Sequence, residues 1–138
     1  MELSMCGYRC DLCKVFAPNV MKNDKRKEQI QAWQKYYGGF EEVMPENTYC
    51  EGCRCDKPDA KRLDMECPVR KCVAKKGLDN CGCCKDYPCK ISDLKKGLCF
   101  EDAKNKSGDK FDAGEYEEYL RAFDNEKRLN TYLLDTIR

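Results

Sequence analysis

Residues 67–89 read CPVRKCVAKKGLDNCGCCKDYPC, and this stretch decides how the chain folds. Its six cysteines follow the patterns Cys67-x4-Cys72 and Cys81-x-Cys83-Cys84-x4-Cys89. Pro68 suits the first position of a helix, and Gly77 suits the position that follows the last helical turn. The sequence therefore predicts a short helix over residues 68–76, with Cys67 just before its first turn and Cys72 on it. The Cys81 cluster that follows is predicted to be a loop.

The other cysteines fall into similar short clusters. They are Cys6-x3-Cys10-x2-Cys13, Cys50-x2-Cys53-x-Cys55 and the single Cys99, which brings the total to 13 in 138 residues. The chain has no histidine. Any zinc or iron that this protein binds must therefore be held largely by sulfur.

Zinc favours four ligands in a tetrahedron, and a Cys-x2-Cys turn brings two sulfurs within about 2.3 Å of one ion. Three such half-sites are present, at residues 10–13, 50–53 and 81–84. Together with Cys6, Cys67, Cys72 and Cys89 they supply enough sulfur for two zinc ions with two ligands to spare. The spacing alone does not indicate which half-sites combine.

Two other classes of function compete with a structural or binding zinc module. Four cysteine thiolates also hold iron–sulfur clusters, so an electron-transfer or redox-sensing protein is the main alternative. A small metallo-enzyme or thiol enzyme is the third hypothesis. It is disfavoured because a nucleophilic cysteine normally needs a histidine base, so no catalytic residue is predicted.

Composition indicates a chain that needs crosslinks. Charged residues make up 37% of the sequence and the mean hydropathy is -0.83, so little apolar material is left for a core. Residues 1–20 contain no apolar signal-peptide segment, and no apolar run reaches the roughly 20 residues that span a bilayer. We expect a cytoplasmic protein whose thiols are reduced and whose crosslinks are metals rather than disulfides.

The charge pattern gives no clear nucleic-acid signal. Residues 57–96 carry 11 basic and 6 acidic side chains, while the whole chain has a net charge of +1. Four thiolates on a divalent zinc contribute a net charge of about -2, so metal sites in this segment would cancel much of its positive charge.

The pattern along the chain predicts one α-rich domain with irregular cysteine-rich loops and few or no strands. A helix begins near Asn23 or Asp24, carries Trp33 as a core anchor and ends at Gly38-Gly39. The cysteine-rich body covers residues 1–99, and a polar loop is expected over residues 100–111. Asp112-x-x-Glu115 then resembles a capping box for an amphipathic helix over residues 112–137. Its apolar stripe is expected to pack on the helix around Trp33, with an unknown protein partner as the alternative.

The clusters, in their order, resemble a known family. The resemblance rests on five motifs: residues 5–13 (MCGYRCDLC), 50–53 (CEGC), 67–77 (CPVRKCVAKKG), 80–84 (NCGCC) and 86–90 (DYPCK). They are similar to the prokaryotic cysteine-rich family known as domain of unknown function 3795 (DUF3795). This resemblance implies a zinc-binding protein with no established activity.

The resemblance also implies a ligand set. The matching cysteines are Cys6, Cys10, Cys13, Cys50, Cys53, Cys67, Cys72, Cys81, Cys84 and Cys89. Cys55, Cys83 and Cys99 lie outside the family pattern. The leading hypothesis is therefore a metal-stabilised α-rich domain that holds about two zinc ions through these ten cysteines.

Overall fold

The protein is described by a computed structural model that covers residues 3–137, with the backbone alone for residues 133–137. It is a small single domain, about half helical, and residues 3–137 contain no β-strand. Two isolated β-bridges join Leu3 to Arg9 and Phe16 to Cys50. The predicted fold class, α-rich with irregular cysteine-rich loops, is confirmed.

Seven α-helices follow one another along the described chain. They are α1 (Ala17–Lys22), α2 (Arg26–Tyr36), α3 (Pro68–Lys76), α4 (Lys90–Asp93), α5 (Phe100–Ser107), α6 (Ala113–Glu115) and α7 (Glu126–Ile137). Short 3-10 turns cover Cys10–Leu12, Pro45–Asn47, Cys81–Cys83 and Gly108–Lys110. A π-helical turn, Tyr116–Leu120, and a 3-10 turn, Arg121–Phe123, continue α6. No helix within residues 3–137 has both the length and the apolar character needed to cross a membrane.

The main apolar core lies between α2 and the helical run that starts at α6. Trp33 is 4% exposed and stacks on Phe40, with 5.3 Å between ring centroids, and its ring lies 5.5 Å from that of Phe123. Tyr116 and Leu120 belong to the same buried cluster. The expectation that this apolar stripe packs around Trp33 is confirmed for these described side chains.

The predicted capping box at Asp112 is half right. The Asp112 carboxylate accepts hydrogen bonds from the backbone N–H groups of Gly114 and Glu115, at 2.8 and 3.1 Å. Glu115 does not return the bond, because the Asp112 N–H donates to the Tyr36 hydroxyl oxygen at 3.1 Å. That hydroxyl donates in turn to the Glu115 carboxylate at 2.9 Å. The cap is therefore a junction with α2 rather than a local motif.

Two predictions for the last third of the chain are wrong. The polar loop expected over residues 100–111 contains α5, whose first turn is capped by the Cys99 sulfur accepting from the Asp102 N–H at 3.4 Å. Phe100 holds α5 in place through edge contacts with the rings of Phe111 and Tyr116. The single helix expected over residues 112–137 is broken before α7 begins, so its two halves pack on different parts of the domain.

A second buried cluster contains cysteines beside apolar side chains. Its members are Cys6, Cys67, Val69, Val73, Cys81, Cys84, Tyr87 and Leu129. Leu129, on α7, is 2% exposed and faces Gly7 and Gly82. A Cβ atom at Gly82 would lie only 2.5 Å from the Leu129 carbonyl oxygen, so α7 sits directly on the Cys81–Cys83 turn. The sequence pattern also places Leu133 and Ile137 on the apolar stripe of the C-terminal helix, but both lie outside the described side chains.

Candidate metal centres

The N-terminal cysteines lie on a tight knuckle. The Ser4 N–H donates to the Tyr8 carbonyl at 2.8 Å, and the Gly7 N–H donates to the Ser4 carbonyl at 3.0 Å. Gly7 allows this turn because its φ of 91° is one that other residues rarely adopt. One 3-10 turn further, the Cys13 N–H donates to the Cys10 carbonyl at 3.0 Å. Cys10 and Cys13 therefore lie at the two ends of a single turn, as their spacing predicts.

The second half-site is joined to this knuckle by backbone hydrogen bonds. The Cys50 N–H donates to the Val15 carbonyl at 3.0 Å, and the Ala17 N–H donates to the Cys50 carbonyl at 2.7 Å. The Cys53 sulfur accepts the Met5 N–H at 3.2 Å. These bonds bring residues 50–53 next to residues 5–13, although about 40 residues of chain separate them.

Six of the predicted ligands consequently line one cavity. Its volume is about 110 Å³. The cysteines are Cys6, Cys10, Cys13, Cys50, Cys53 and Cys67. We call this the six-cysteine cavity. Arg62, Arg70 and Lys95 also line it, together with Asp64.

The other four predicted ligands line a second, smaller cavity. Its volume is about 20 Å³, and its cysteines are Cys72, Cys81, Cys84 and Cys89. We call this the four-cysteine cavity. Cys72 comes from α3, Cys81 and Cys84 come from the 3-10 turn that follows, and Cys89 comes from the N-terminus of α4. Apolar side chains of Val69, Val73 and Tyr87 complete the wall.

Hydrogen bonds orient two of the four sulfurs of the four-cysteine cavity, those of Cys84 and Cys89. The Cys84 sulfur accepts from the Lys76 ammonium group at 3.1 Å and from the Asp86 N–H at 3.4 Å. The Cys89 sulfur caps α4 by accepting the Ser92 N–H, and the Ser92 hydroxyl oxygen accepts the Cys89 N–H at 2.9 Å. Donors of this kind orient thiolates and lower their charge density in metal sites.

Burial and mutual repulsion raise the pKa of several of these thiols. Burial raises the pKa of Cys6 to about 11 and that of Cys13 to about 12. Burial, together with the neighbouring Cys89 and Cys84, raises the pKa of Cys81 to about 12. Cys89 differs, because the Ser92 N–H lowers its pKa. A cation at either cavity would supply the positive charge that favours the thiolate forms.

The remaining three cysteines line neither cavity. Cys99 caps α5, and the Cys83 thiol donates to the Asn80 side-chain oxygen over 3.7 Å. Cys55 lies in the loop after Cys53, where its carbonyl accepts from Arg62. All thirteen cysteines fall within the described residues and are free rather than disulfide-bonded.

Among the described side chains, those of residues 3–132, no three cysteines or carboxylates are placed so that they could hold one metal ion together. Metal binding by the ten cysteines therefore stays a prediction. The donor set nevertheless fits the chemistry of zinc and iron, since both cavities offer four or more sulfurs and buried surroundings.

The sequence reasoning missed several polar residues around the two cavities. Lys76 is four residues after Cys72 on α3, so the helical repeat could have placed its ammonium group on the same face. Asn80 is 0% exposed, and its side-chain nitrogen has no hydrogen-bond partner. The only feature of the sequence that pointed to Asn80 was its position directly before Cys81. Arg62 and Arg70 lie within five residues of Cys67, so their place beside the six-cysteine cavity could have been expected, whereas Lys95 comes from a distant segment.

The model of a family described as a protein of unknown function (DUF3795) matches residues 2–94, which include all ten cysteines of the two cavities. The chain belongs to the DUF3795 family. The match ends at residue 94, so Cys99 and the helices from α5 onward lie outside it. A search of curated proteins and a search of solved structures gave no match. The DUF3795 description names no activity, so a functional hypothesis must be argued from the cavities.

Proposed function

We propose that this DUF3795 protein is a structural metal-binding module whose ten cavity cysteines hold metal at two centres. The observation that carries the proposal is the division of these ten cysteines between two cavities, with the three other cysteines outside both. Sequence spacing supplies the half-sites, and the tertiary structure combines them.

Zinc is the metal that the four-cysteine cavity supports best. A structural zinc site takes four ligands, and this cavity has four cysteines and no histidine or carboxylate in its lining. Its volume of about 20 Å³ compares with the roughly 10–15 Å³ that one water-sized sphere occupies. Lys76 and the Asp86 N–H, both bonded to the Cys84 sulfur, would offset the negative charge of four thiolates.

A structural role follows from where these cysteines lie in the fold. Cys67, Cys81 and Cys84 are core residues that contact Val69, Val73 and Leu129 in the second buried cluster. Structural zinc in small domains contributes an apparent binding free energy of about 10–16 kcal/mol at neutral pH. Metal at this cluster would therefore supply much of the free energy of folding that a small apolar core lacks.

The test is to remove the metal and follow the fold. We expect zinc in the purified protein under reducing conditions and a loss of far-UV circular dichroism when a strong chelator removes it. Cys72→Ser should lower the zinc content by about one ion per chain, whereas Cys55→Ser, in a loop outside both cavities, should leave it unchanged. Unchanged circular dichroism after complete metal removal would refute the structural role.

The cytoplasmic location and the protein partner of the C-terminal helix remain parts of this proposal. Reduced cysteines and metal crosslinks suit a cytoplasmic protein. The first turns of α7 are occupied by the contact of Leu129 with the knuckle and the Cys81–Cys83 turn, so a partner would have to use the later turns. Nothing in the two cavities favours an enzyme over a structural module.

A further inference from the structure

The two cavities differ in both the number of cysteines and the volume. The six-cysteine cavity has about five times the volume of the four-cysteine cavity, about 110 against about 20 Å³. Two more sulfurs line it. A protein that held the same metal ion in the same way at both places would have no reason for this difference.

One zinc ion does not account for the six-cysteine cavity. A tetrahedral zinc would use four sulfurs and would fill little of the 110 Å³ space. Two independent zinc ions would need eight sulfurs, and this cavity offers six. A pair of zinc ions sharing bridging sulfurs would use all six, but zinc–sulfur distances of about 2.3 Å leave most of a 110 Å³ space unfilled.

A cluster that brings its own inorganic sulfide fits the larger volume. Iron–sulfur clusters contain several iron and sulfide atoms, so they fill a cavity several times larger than a single ion needs. They use four protein thiolates. The knuckle residues Cys6, Cys10 and Cys13 offer three of these on one continuous segment, and Cys50, Cys53 and Cys67 surround the remaining side.

The charged and polar surroundings of the six-cysteine cavity match a negatively charged cluster. Arg62, Arg70 and Lys95 line it with only one carboxylate, that of Asp64, which pairs with Lys95. The Met5 N–H points at the Cys53 sulfur and the Ser4 hydroxyl lies 3.2 Å from the Cys6 sulfur. Hydrogen bonds to cluster sulfurs are among the features by which proteins set cluster stability and potential.

We propose that the six-cysteine cavity binds a polynuclear iron–sulfur cluster, while the four-cysteine cavity binds one zinc ion. This inference rests on the proposed function, since it assigns the metals of the same two centres. The protein would be a mixed-metal protein in which only one centre exchanges electrons.

The experiment starts with anaerobically purified protein, treated with ferrous iron, inorganic sulfide and zinc, and then desalted. Iron, zinc and acid-labile sulfide are measured on one sample. We expect iron and sulfide in near-equal amounts, about one zinc per chain, and a brown colour from sulfur-to-iron charge transfer. X-ray absorption should show four sulfurs at about 2.3 Å from zinc.

Paired variants assign each metal to its cavity. Cys10→Ser with Cys13→Ser should abolish iron and sulfide binding and keep the zinc. Cys81→Ser with Cys84→Ser should abolish zinc binding, and the fraction of this variant that still folds should keep its iron and sulfide. Cys55→Ser with Cys99→Ser, which touches neither cavity, is the matched control and should keep both.

The outcomes separate this inference from the proposed function. Wild-type protein that binds zinc but neither iron nor sulfide would overturn the inference and leave the proposed function standing. Protein that binds no metal would overturn both. Iron and sulfide retained at wild-type levels by the Cys10→Ser, Cys13→Ser variant would also overturn the inference. The measurements on the wild type decide the matter even where a variant does not fold.

Discussion

Asn125 is a buried residue whose side-chain amide hydrogen-bonds to two other segments of the chain. It lies at the break before α7 and is 2% exposed. Its side-chain N–H groups donate to the carbonyls of Cys6 and Lys95 at 2.7 and 3.0 Å. Its side-chain oxygen accepts the Gly97 N–H at 3.0 Å. One amide group therefore ties the N-terminal knuckle, the segment after α4 and the start of α7 together.

The cost of removing this amide can be worked out from its partners. In Asn125→Ala the Cys6 carbonyl and the Gly97 N–H each lose a buried hydrogen bond to the Asn125 side chain. The Lys95 carbonyl keeps a partner, because it still accepts from the Tyr8 hydroxyl at 2.7 Å. Each buried group left without a partner costs about 1–3 kcal/mol, so the free energy of unfolding should fall by about 2–6 kcal/mol. A loss of this size is a large part of the 5–15 kcal/mol that is typical of a whole domain.

Urea unfolding of the metal-loaded protein, followed by far-UV circular dichroism, measures this loss. Asn125→Asp keeps the shape but replaces both N–H donors with an oxygen facing the two carbonyls, so it should be destabilising as well. Asn105→Ala, at an exposed position of α5, is the matched control and should change the free energy by less than about 0.5 kcal/mol. If both Asn125 variants stayed within about 1 kcal/mol of the wild type, the hydrogen-bond reasoning would be refuted.

Two further substitutions test how the helices pack. Gly82→Ala places a Cβ atom 2.5 Å from the Leu129 carbonyl oxygen, so α7 must shift and thermal unfolding should show a loss of about 1–3 kcal/mol. Gly114→Ala is the control, because its Cβ atom would meet only the Asp112 carboxylate, at 3.2 Å, and it should be nearly neutral. Equal losses of stability in the two variants would contradict the packing of α7 on Gly82. Tyr36→Phe removes the hydroxyl that accepts from the Asp112 N–H and donates to the Glu115 carboxylate. Loss of these two hydrogen bonds, one of them to a charged group, should cost about 1–3 kcal/mol in urea unfolding. No change would show that the junction between α2 and α6 is not stabilising.

The helices that have clear start and stop residues could be predicted from the sequence. The bounds of α3 follow from Pro68 at its first position and from Gly77, whose φ of 67° lies in the left-handed region that ends many helices. α2 ends close to Gly38, as predicted, and starts at Arg26 rather than at Asn23. Its first N–H donates to the Asp24 carboxylate at 3.1 Å, so the predicted capping residue does act there.

The elements without such local signals were missed. α5 has a polar sequence, and its only buried residue is Ala103, so its apolar contacts come from Phe100 at its first position. Those contacts are with Phe111 and Tyr116, which no pattern within residues 100–107 reveals. The break before α7 likewise depends on Asn125 finding partners in two distant segments. Tertiary contacts therefore decide these elements, and periodicity along the chain does not.

The grouping of cysteines also depends on tertiary structure. Spacing indicates half-sites because two cysteines on one turn are close whatever the rest of the fold does. It does not tell which half-sites meet. The meeting of residues 10–13 with residues 50–53 depends on the Cys50 and Val15 backbone bond, and the separation of Cys67 from Cys72 depends on α3 lying between the two cavities. Two cysteines five residues apart thus line different cavities.

The two cavities are also mechanically joined, through the peptide groups of a single residue. The Met5 N–H donates to the Cys53 sulfur of the six-cysteine cavity at 3.2 Å, and the Met5 carbonyl accepts the Cys81 N–H of the four-cysteine cavity at 2.8 Å. A shift of the chain at one cavity must therefore move the chain at the other. Because these bonds connect segments that are far apart in sequence, ordering one cavity also orders part of the second.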